Sequence, residues 1–299
     1  MDGIFNVRKP MGMTSHDVVS AMRKILGIKK IGHGGTLDPL AEGVLPVFAG
    51  KATRFIEYAV EGHKVYRATI SFGQKTDTGD REGKVIATGH IHHVTEEDLQ
   101  AALACFQGKI SQIPPMYSAL SQGGKKLYKL AREGIVVERA PREIFIYALH
   151  MISYNDRELV IEVECSKGTY IRTLAEDIAA KLGMVGFMSA LLRKQVGSFT
   201  LAESATLEEI AKEPEKYVLP LEKALADFPT LVVNPLQGRR IAQGVATTIK
   251  NIVEGTTYKI CTDDQQLVGL AKAEDGKLRG TKIINVPEDA SNNEDNQNS

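Results

Sequence analysis

Apolar residues recur at every second position over residues 64–73, "KVYRATISFG". Tyr66, Ala68, Ile70 and Phe72 therefore fall on one face, which predicts a half-buried strand that ends at the turn "TDTGDREGK". The same reasoning predicts strands at three other apolar runs: around Ile4 to Val7, at "VLPVFAG" and at "ELVIEVEC".

Apolar residues at helical spacing predict helices between and after these strands. Val18, Met22 and Ile25 follow Thr14 and Ser15, either of which is suited to cap a helix. Three further helices are predicted at "KATRFIEYAV", at "EEDLQAALACFQG" behind a capping box of Thr95 and Asp98, and at "TYIRTLAEDIAAKLG" with Ile171, Leu174, Ile178 and Leu182 facing inward.

Strands and helices in this mixed order predict an α+β fold with a mixed sheet. We expect one large domain at residues 1–225, with an excursion at about 113–145 where a proline entry and Gly123-Gly124 interrupt a basic segment. "PEKYVLPLEKALADFP" is typical of a linker with a short helix, and residues 226–287 predict a small β-rich unit. The polar, acidic residues 288–299 predict a disordered tail.

Composition is that of an ordinary globular protein, with 43% hydrophobic and 25% charged residues. The 37 basic and 37 acidic side chains balance, but their distribution is uneven. Residues 1–60 hold eight basic against five acidic groups, and residues 113–145 hold six against three. Residues 200–227 hold three against seven. A basic front with an acidic back is compatible with nucleic acid on one side.

The cysteines and the N-terminal residues indicate the cellular compartment of the protein. Cys105, Cys165 and Cys261 are widely spaced and form no CxxC pattern, which favours a reducing compartment over a disulfide framework. The start "MDGIFNVRKP" has no apolar leader core, and no 18-residue apolar run follows. We therefore expect a cytoplasmic protein without a membrane segment.

Asp38 is the acidic residue of the glycine-rich stretch "GHGGTLDPLAEGVLP". Asp38 followed by Pro39 is typical of a helix N-terminus, so one interpretation is a capping residue. A cap does not require Gly32, Gly34 and Gly35 just upstream, because such residues suit a sharp turn or the close approach of something bulky. Capping and catalysis both remain open on the spacing alone.

Three other residues have a structural and a functional interpretation. Arg172 falls in the first turn of its helix if Thr169 is the cap, where a cation opposes the helix dipole. It is either a surface arginine or the partner of a carboxylate from another loop. Tyr66 is either a core tyrosine or a ring stacked on a planar ligand, and His33 is either a plain loop residue or a ligand contact.

No metal or cofactor site is expected. "HIHH" at 90–93 lacks an acid or cysteine at ligand spacing, and Asp77, Asp80 and Glu82 do not match a calcium loop because Thr88 stands where glutamate is required. The sequence has no P-loop, no dinucleotide-binding fingerprint and no GxSxG motif.

Five blocks in one order resemble the TruB-type tRNA pseudouridine synthases. They are "DGIFNVRKPMGMTSHDVV", "GHGGTLDPLAEGVLPVFAGKATRF", "KVYRATISFGQKTDTGDREG", "QIPPMYSALSQGGKKLYKLAREG" and "CSKGTYIRTLAEDI". The resemblance implies a pseudouridine synthase catalytic domain over 1–225, with the excursion as an RNA clamp, and a PUA-like RNA-binding module over 226–287. The resemblance also implies the reaction, in which a flipped-out uridine is converted to pseudouridine. The uridine that it implies is the one at position 55 in the T loop of tRNA.

Site roles follow from the same resemblance. Asp38 matches the catalytic aspartate, Tyr66 the active-site tyrosine and Arg172 the arginine paired with that aspartate. The family's "LRR" appears as Leu192, Arg193 and Lys194. We expect RNA contacts from His33, Lys9, Lys125, Lys126, Lys129, Arg132, Tyr170 and Arg193. No cofactor, metal or obligate protein partner is implied, and a bacterial monomer acting on the tRNA T-arm is expected.

Two rival functions remain open on the residues. An RNA-binding module without chemistry would need the basic front but not the set of Asp38, Tyr66 and Arg172. A glycosidase-like hydrolase would need a pair of acids, and no second carboxylate stands out beside Asp38 in the sequence.

Overall fold

The computed structural model describes residues 2–59 and 62–287, so the acidic tail predicted at 288–299 lies outside the described residues. Strands are numbered along the chain as Gly3–Lys9 (β1), Ile31–His33 (β2), Glu42–Ala49 (β3), Lys64–Phe72 (β4), Gln74–Thr76 (β5), Val85–Thr88 (β6), Gly108–Gln112 (β7), Ser121–Gln122 (β8), Lys125–Lys126 (β9), Arg142–Asn155 (β10), Glu158–Cys165 (β11), Gly186–Val196 (β12), Phe199–Thr200 (β13), Val218–Leu219 (β14), Thr230–Val233 (β15), Thr247–Thr248 (β16), Thr257–Thr262 (β17), Leu267–Glu274 (β18) and Lys277–Ile283 (β19). The α-helices are Ser15–Leu26 (α1), Ile56–Ala59 (α2), Glu96–Ala104 (α3), Leu127–Arg132 (α4), Ile171–Lys181 (α5), Leu207–Lys212 (α6), Pro214–Tyr217 (α7), Leu221–Ala224 (α8) and Pro235–Ala242 (α9).

A large mixed sheet forms the centre of the molecule, in the order β14-β1-β3-β12-β4-β11-β10-β7. Its central strand β4 pairs antiparallel with both β11 and β12, whereas β12 pairs parallel with β3. The alternation predicted for β4 is confirmed, since Tyr66, Ala68, Ile70 and Phe72 are all buried. These four side chains pack with α5 in one hydrophobic cluster, which covers one face of the sheet.

Capping side chains explain where α1 and α3 start. Thr14 and Asp17 form a complete capping box at α1, and the hydroxyl of Thr95 accepts from the Asp98 N–H at the start of α3. The expectation that Thr169 caps α5 is wrong. The capping position is Tyr170, which provides no side-chain cap, while the Thr169 hydroxyl donates to the carbonyl of Ser166. The helix predicted from Lys51 is replaced by a 3-10 helix at Gly50–Phe55, followed by the short α2.

A second sheet lies near the C-terminus, in the order β15-β17-β18-β19-β16. Leu267 and Leu270 of this sheet share a hydrophobic cluster with Ile4 and Phe48 of the large sheet. The fold is therefore α+β with a small β-rich C-terminal sheet that packs against the rest. The segment predicted as a linker is part of the fold, because β14 within it pairs with β1.

The excursion connects two neighbouring strands. Gln112 at the end of β7 and Arg142 at the start of β10 are Cα partners, so the chain leaves and re-enters the sheet at one place. Between them lie the β8–β9 hairpin, which turns at Gly123 and Gly124 with φ of 57° and 79°, and the helix α4. Within 2–59 and 62–287, no helix has the length and apolarity that crossing a lipid bilayer requires.

Candidate active site

Asp38 lies in the loop between β2 and β3, and no helix follows it. Residues 39–40 form a turn in which the N–H of Ala41 donates to the carbonyl of Asp38 at 3.1 Å. The capping interpretation of Asp38 is therefore wrong. The loop is held by its neighbours instead: the N–H of Leu37 donates to Ser15 Oγ at 2.8 Å, and the N–H of Gly12 donates to the carbonyl of Pro39 at 2.8 Å.

Arg172 is brought to Asp38 by the N-terminus of α5. Arg172 Nε lies 3.1 Å from Asp38 Oδ2, and the arginine side chain is only 7% exposed. Its other nitrogens donate to two backbone carbonyls, those of Thr78 at 3.0 Å and Tyr117 at 2.7 Å. The interpretation of Arg172 as a free surface arginine is therefore wrong. Its guanidinium is in direct contact with the Asp38 carboxylate.

Asp80 is the carboxylate that the sequence did not reveal. It lies in the turn between β5 and β6, with Oδ2 at 3.6 Å from Arg172 Nη1. Its Oδ1 accepts from the Thr78 hydroxyl at 2.7 Å and from the N–H of Glu82 at 3.0 Å. Asp38 and Asp80 thus share one arginine, although no second acid stands out beside Asp38 in the sequence. The signal lay in "TDTGD", where a polar turn supplies hydrogen bonds that let a carboxylate become buried.

Gln112 fixes the start of α5. Its side-chain Nε2 donates to the carbonyl of Tyr170 at 3.1 Å, and its Oε1 accepts from the N–H of Tyr170 at 3.0 Å. Gln112 is 2% exposed. Because α5 has no capping side chain at Tyr170, this two-point contact stabilises the helix start that carries Arg172.

Tyr66 projects from β4 into the same region, where it is 7% exposed. Burial raises the pKa of the Tyr66 hydroxyl, whereas the neighbouring Arg193 opposes that rise. Arg193 is the backbone register partner of Tyr66 across β4 and β12. The core and functional interpretations of Tyr66 are therefore compatible, since a buried ring lies beside charged groups of the site.

Lys9 and Arg193, two of the residues expected to contact RNA, are buried. Lys9 is fully buried, and its Nζ donates to the carbonyls of Ala41 at 2.6 Å, Pro10 at 2.8 Å and Pro39 at 3.3 Å. Arg193 is 1% exposed and also donates to backbone carbonyls. Both cations thus donate to backbone carbonyls in the interior of the site, and the RNA contacts expected of them stay a prediction. A sequence shows that a side chain is charged. It does not show which backbone carbonyls will surround that charge in the folded protein.

The other expected RNA contacts lie nearer the surface. Lys125, Lys126, Lys129 and Arg132 are exposed on the excursion, and Tyr170 is half-buried at the start of α5. His33 is half-buried at the end of β2, and burial together with nearby Arg193 lowers the pKa of its imidazole. A lowered pKa favours the neutral ring, which can stack or accept a hydrogen bond.

The protonation of Asp38 depends on opposing effects. Its side chain keeps 34% of its surface open, yet protein atoms surround it closely enough that burial raises its pKa. Arg172 is the largest opposing effect, Asp80 adds to the rise, and Lys9 and Arg193 also lower the pKa. Arg172 therefore contributes most to keeping this partly buried acid ionised.

The arrangement offers one partly open carboxylate, a buried arginine that orients it and a tyrosine hydroxyl nearby. These groups suit nucleophilic or general-base chemistry at the carboxylate. Asp80 is turned toward its own hydrogen bonds and is 5% exposed, so it does not face the opening. Among the described residues, no three His, Cys, Asp or Glu side chains are grouped closely enough to hold a metal ion.

Comparisons with known proteins match most of the chain. Residues 23–171 match the TruB family pseudouridylate synthase N-terminal domain, and residues 172–226 match the tRNA pseudouridylate synthase B C-terminal domain. A tRNA pseudouridine synthase B from Caldanaerobacter subterraneus subsp. tengcongensis is 45% identical over 285 residues, covering 95% of this chain and 99% of the relative. The protein of the same name from Symbiobacterium thermophilum is 47% identical over 253 residues, covering 84% of each chain.

Solved structures agree with this assignment. A Cbf5-Nop10-Gar1 complex contains a chain with a TM-score of 0.74 and 27% identity, covering 97% of this chain and 86% of that one. A chain of an H/ACA RNP bound to a substrate RNA containing 2′-deoxyuridine has a TM-score of 0.72 and 25% identity, covering 96% and 85%. With two family models matched over residues 23–226 and relatives this similar over nearly their full length, the chain belongs to the TruB family of pseudouridylate synthases.

Proposed function

We propose that the protein isomerises uridine to pseudouridine in tRNA, at position 55 of the T loop. The observation that carries the proposal is the contact of 3.1 Å between Arg172 Nε and Asp38 Oδ2, beside Tyr66. A pair of this kind keeps one acid ionised and aimed at an opening in the protein. The names of the relatives, all tRNA pseudouridine synthase B, support tRNA as the substrate.

The reaction requires the uridine to leave its stack, at a cost of a few kcal/mol, before the glycosidic bond can be reached. Asp38 then acts at the ribose, as nucleophile or as base, while the bond between N1 and C1′ breaks. The uracil turns in place and its C5 bonds to C1′. C5 loses a proton and N1 gains one, so that product and substrate are isomers. Tyr66 stacks on the base, and Arg172 holds Asp38.

The rival functions are less favoured by the geometry. A pure RNA-binding module gains nothing from burying Arg172 at the cost of desolvation, with one acid left partly open. A hydrolase that uses two acids needs both of them to face the substrate. Asp80 is buried, and its Oδ1 already accepts from Thr78 and Glu82.

The rest of the chain fits an RNA-clamping enzyme. Residues 1–225 would form the catalytic domain, in which the exposed cations of the excursion at about 113–145 bind phosphates. Residues 226–287 would form a PUA-like RNA-binding module. We further propose that the protein acts in the cytoplasm as a monomer without an obligate protein partner, which light scattering after size-exclusion chromatography would test.

The function is tested by incubating the protein with an unmodified tRNA transcript and mapping pseudouridine by carbodiimide labelling. We expect one modified site, at position 55, and none in a transcript that carries cytidine there. Asp38→Asn keeps the shape but loses the nucleophile or base, so it should form no product and keep tRNA affinity within a few fold. Product from Asp38→Asn, or no product from the wild type, would contradict the proposal.

A further inference from the structure

Arg193 is a buried cation whose role the proposed reaction does not yet explain. It is 1% exposed, and no carboxylate among the described residues lies within ion-pair distance of it. A buried charge without a counter-charge costs free energy unless its hydrogen bonds compensate for the lost water. An arginine kept under these conditions therefore needs a specific set of acceptors.

Those acceptors lie on both sides of Asp38 in the chain. Arg193 Nε donates to the carbonyl of Val44 at 2.8 Å, and Nη2 donates to the carbonyl of Gly35 at 3.0 Å. Nη1 makes a longer contact of 3.4 Å with the carbonyl of Thr36. One planar group thus joins the segment before Asp38 to the segment after it. Because the three donors are fixed in one fork, they restrain the loop in more than one direction.

The backbone of Arg193 is fixed as well. Arg193 pairs with Gly43 of β3, which has a φ of 108°. The carbonyl oxygen of Arg193 occupies the space that a Cβ at position 43 would need. The strand and the guanidinium are therefore both in contact with the segment that carries Asp38, and the side chain has little freedom to turn toward bound RNA.

We propose that Arg193 is a positioning residue for the isomerisation, which holds the Asp38 loop in place and sets a positive charge beside Tyr66. This inference rests on the proposed function. It differs from the role of Arg172, which contacts the Asp38 carboxylate itself. Arg193 acts through the loop backbone and through the electrostatic environment of the site.

The surrounding charges define what Arg193 contributes. The pKa of Asp38 is lowered by Arg172 and Lys9 as well as by Arg193, whereas Arg193 is the cation that most lowers the pKa of the Tyr66 hydroxyl. Arg193 lowers the pKa of both residues, against burial and, for Tyr66, against Cys165 and Asp38. It also lowers the pKa values of His33, Lys9 and Lys64, which lie around it. Its positive charge thus favours negative charge on both reacting side chains.

The test compares Arg193→Gln and Arg193→Lys with Lys194→Gln, after thermal melting has shown that each variant is folded. Lys194 is the next residue of β12 and pairs with Glu162 at 2.8 Å, so this control removes one charge from the same strand. The measurements are single-turnover pseudouridine formation from pH 5 to 9 with saturating tRNA, and tRNA affinity.

For Arg193→Gln we expect a rate loss of about 100-fold, the size associated with a misplacement near 1 Å, and affinity within a few fold of the wild type. The acid limb of its pH profile should move to higher pH. Arg193→Lys should keep the wild-type position of the limb and lose rate, because an ammonium cannot reproduce the fork. Lys194→Gln should match the wild type in both respects.

Wild-type rates from Arg193→Lys would overturn the proposal, and so would an Arg193→Gln profile that is lowered equally at every pH. Weak tRNA binding with a normal saturated rate would instead make Arg193 an RNA contact. If Arg193→Gln does not fold, the rate of Arg193→Lys still tests the proposal.

A second test, a ¹³C NMR titration of the Asp38 carboxyl, does not require the protein to be active. The signal is assigned by comparison with Asp38→Asn. A higher pKa in Arg193→Gln would support the electrostatic effect of Arg193 on Asp38 even if the wild type made no pseudouridine, and an unchanged pKa would contradict the proposal.

Discussion

Arg172 Nε and Asp38 Oδ2 are 3.1 Å apart although the two residues come from opposite halves of the chain. The arginine is almost fully buried, while the carboxylate keeps a third of its surface open. Such a pair is asymmetric: the cation is fixed by Thr78, Tyr117 and Asp80, and the acid has one side left for a substrate. The arginine is the fixed partner, so removing it should affect the acid more than the fold around the acid.

Arg172→Ala tests this asymmetry. Burial already raises the pKa of Asp38 and Arg172 is the main opposing effect, so the variant should raise that pKa further. An acid with a higher pKa ionises only at higher pH. We therefore expect a rate reduced by orders of magnitude near neutral pH, with residual activity that increases toward pH 9.

Arg172→Lys is the matched control and should be intermediate, because it keeps the charge and loses the fork geometry. Both variants are measured by single-turnover pseudouridine formation from pH 5 to 9 at saturating tRNA. Wild-type rates from Arg172→Ala at every pH would show that the ion pair has no role in the reaction.

Gln112→Ala tests the start of α5. The variant leaves the N–H and carbonyl of Tyr170 without the partners they have in the wild type. We expect a loss of about 1–3 kcal/mol in the free energy of unfolding, the usual cost of unsatisfied buried polar groups. Urea denaturation would measure it, with the exposed Gln122→Ala expected within about 0.5 kcal/mol of the wild type. Equal stabilities would contradict the role assigned to Gln112.

The burial of Lys9 predicts how the free energy of unfolding depends on pH. Burial lowers its pKa from 10.5 to about 8 in the folded protein. Between these values the unfolded chain binds more protons than the folded one, so the free energy of unfolding rises with pH. Relative to Lys9→Met, the wild type should therefore become more stable as the pH increases from about 8 to about 10.5.

Urea unfolding at pH 7.5 and 9.5 would measure that difference, with Lys24→Met as an exposed control. The control should follow the wild type at both pH values. A stability difference between wild type and Lys9→Met that does not change with pH would mean that Lys9 is not buried as a charge.

The excursion should be protected by RNA. Gly123 and Gly124 are exposed at the tip of the β8–β9 hairpin, next to Lys125 and Lys126. If these cations bind phosphates, limited proteolysis should cut near Gly123 in the free protein and much more slowly with tRNA present. A tRNA transcript without its T-arm serves as the control and should leave cleavage fast. Equal cleavage with and without intact tRNA would argue against a clamp.

Regular elements and the central ion pair were predictable, whereas the interior support of the site was not. The alternation around Tyr66 predicts β4 because one face of a strand is buried. Asp38 and Arg172 could be paired through the motif resemblance. The burial of Lys9 and Arg193 could not be predicted, because their acceptors are backbone carbonyls, which leave no trace in side-chain chemistry. Asp80 was missed for a related reason, since its burial depends on hydrogen bonds within a turn.

The pairing of Gln112 with Arg142 has a consequence for engineering. Opposed Cα atoms in an antiparallel ladder are only about 4.5 to 5.5 Å apart, so the segment between them is a closed insertion on an intact sheet. Doubling the length of a flexible loop costs only about 0.6 kcal/mol in closure entropy. Tyr117, whose carbonyl accepts from Arg172, lies near the start of this segment, so an exchange should keep residues 113–117. Replacing the later residues by the equivalent part of another family member would then change the surface of the excursion and leave the contacts of Arg172 in place.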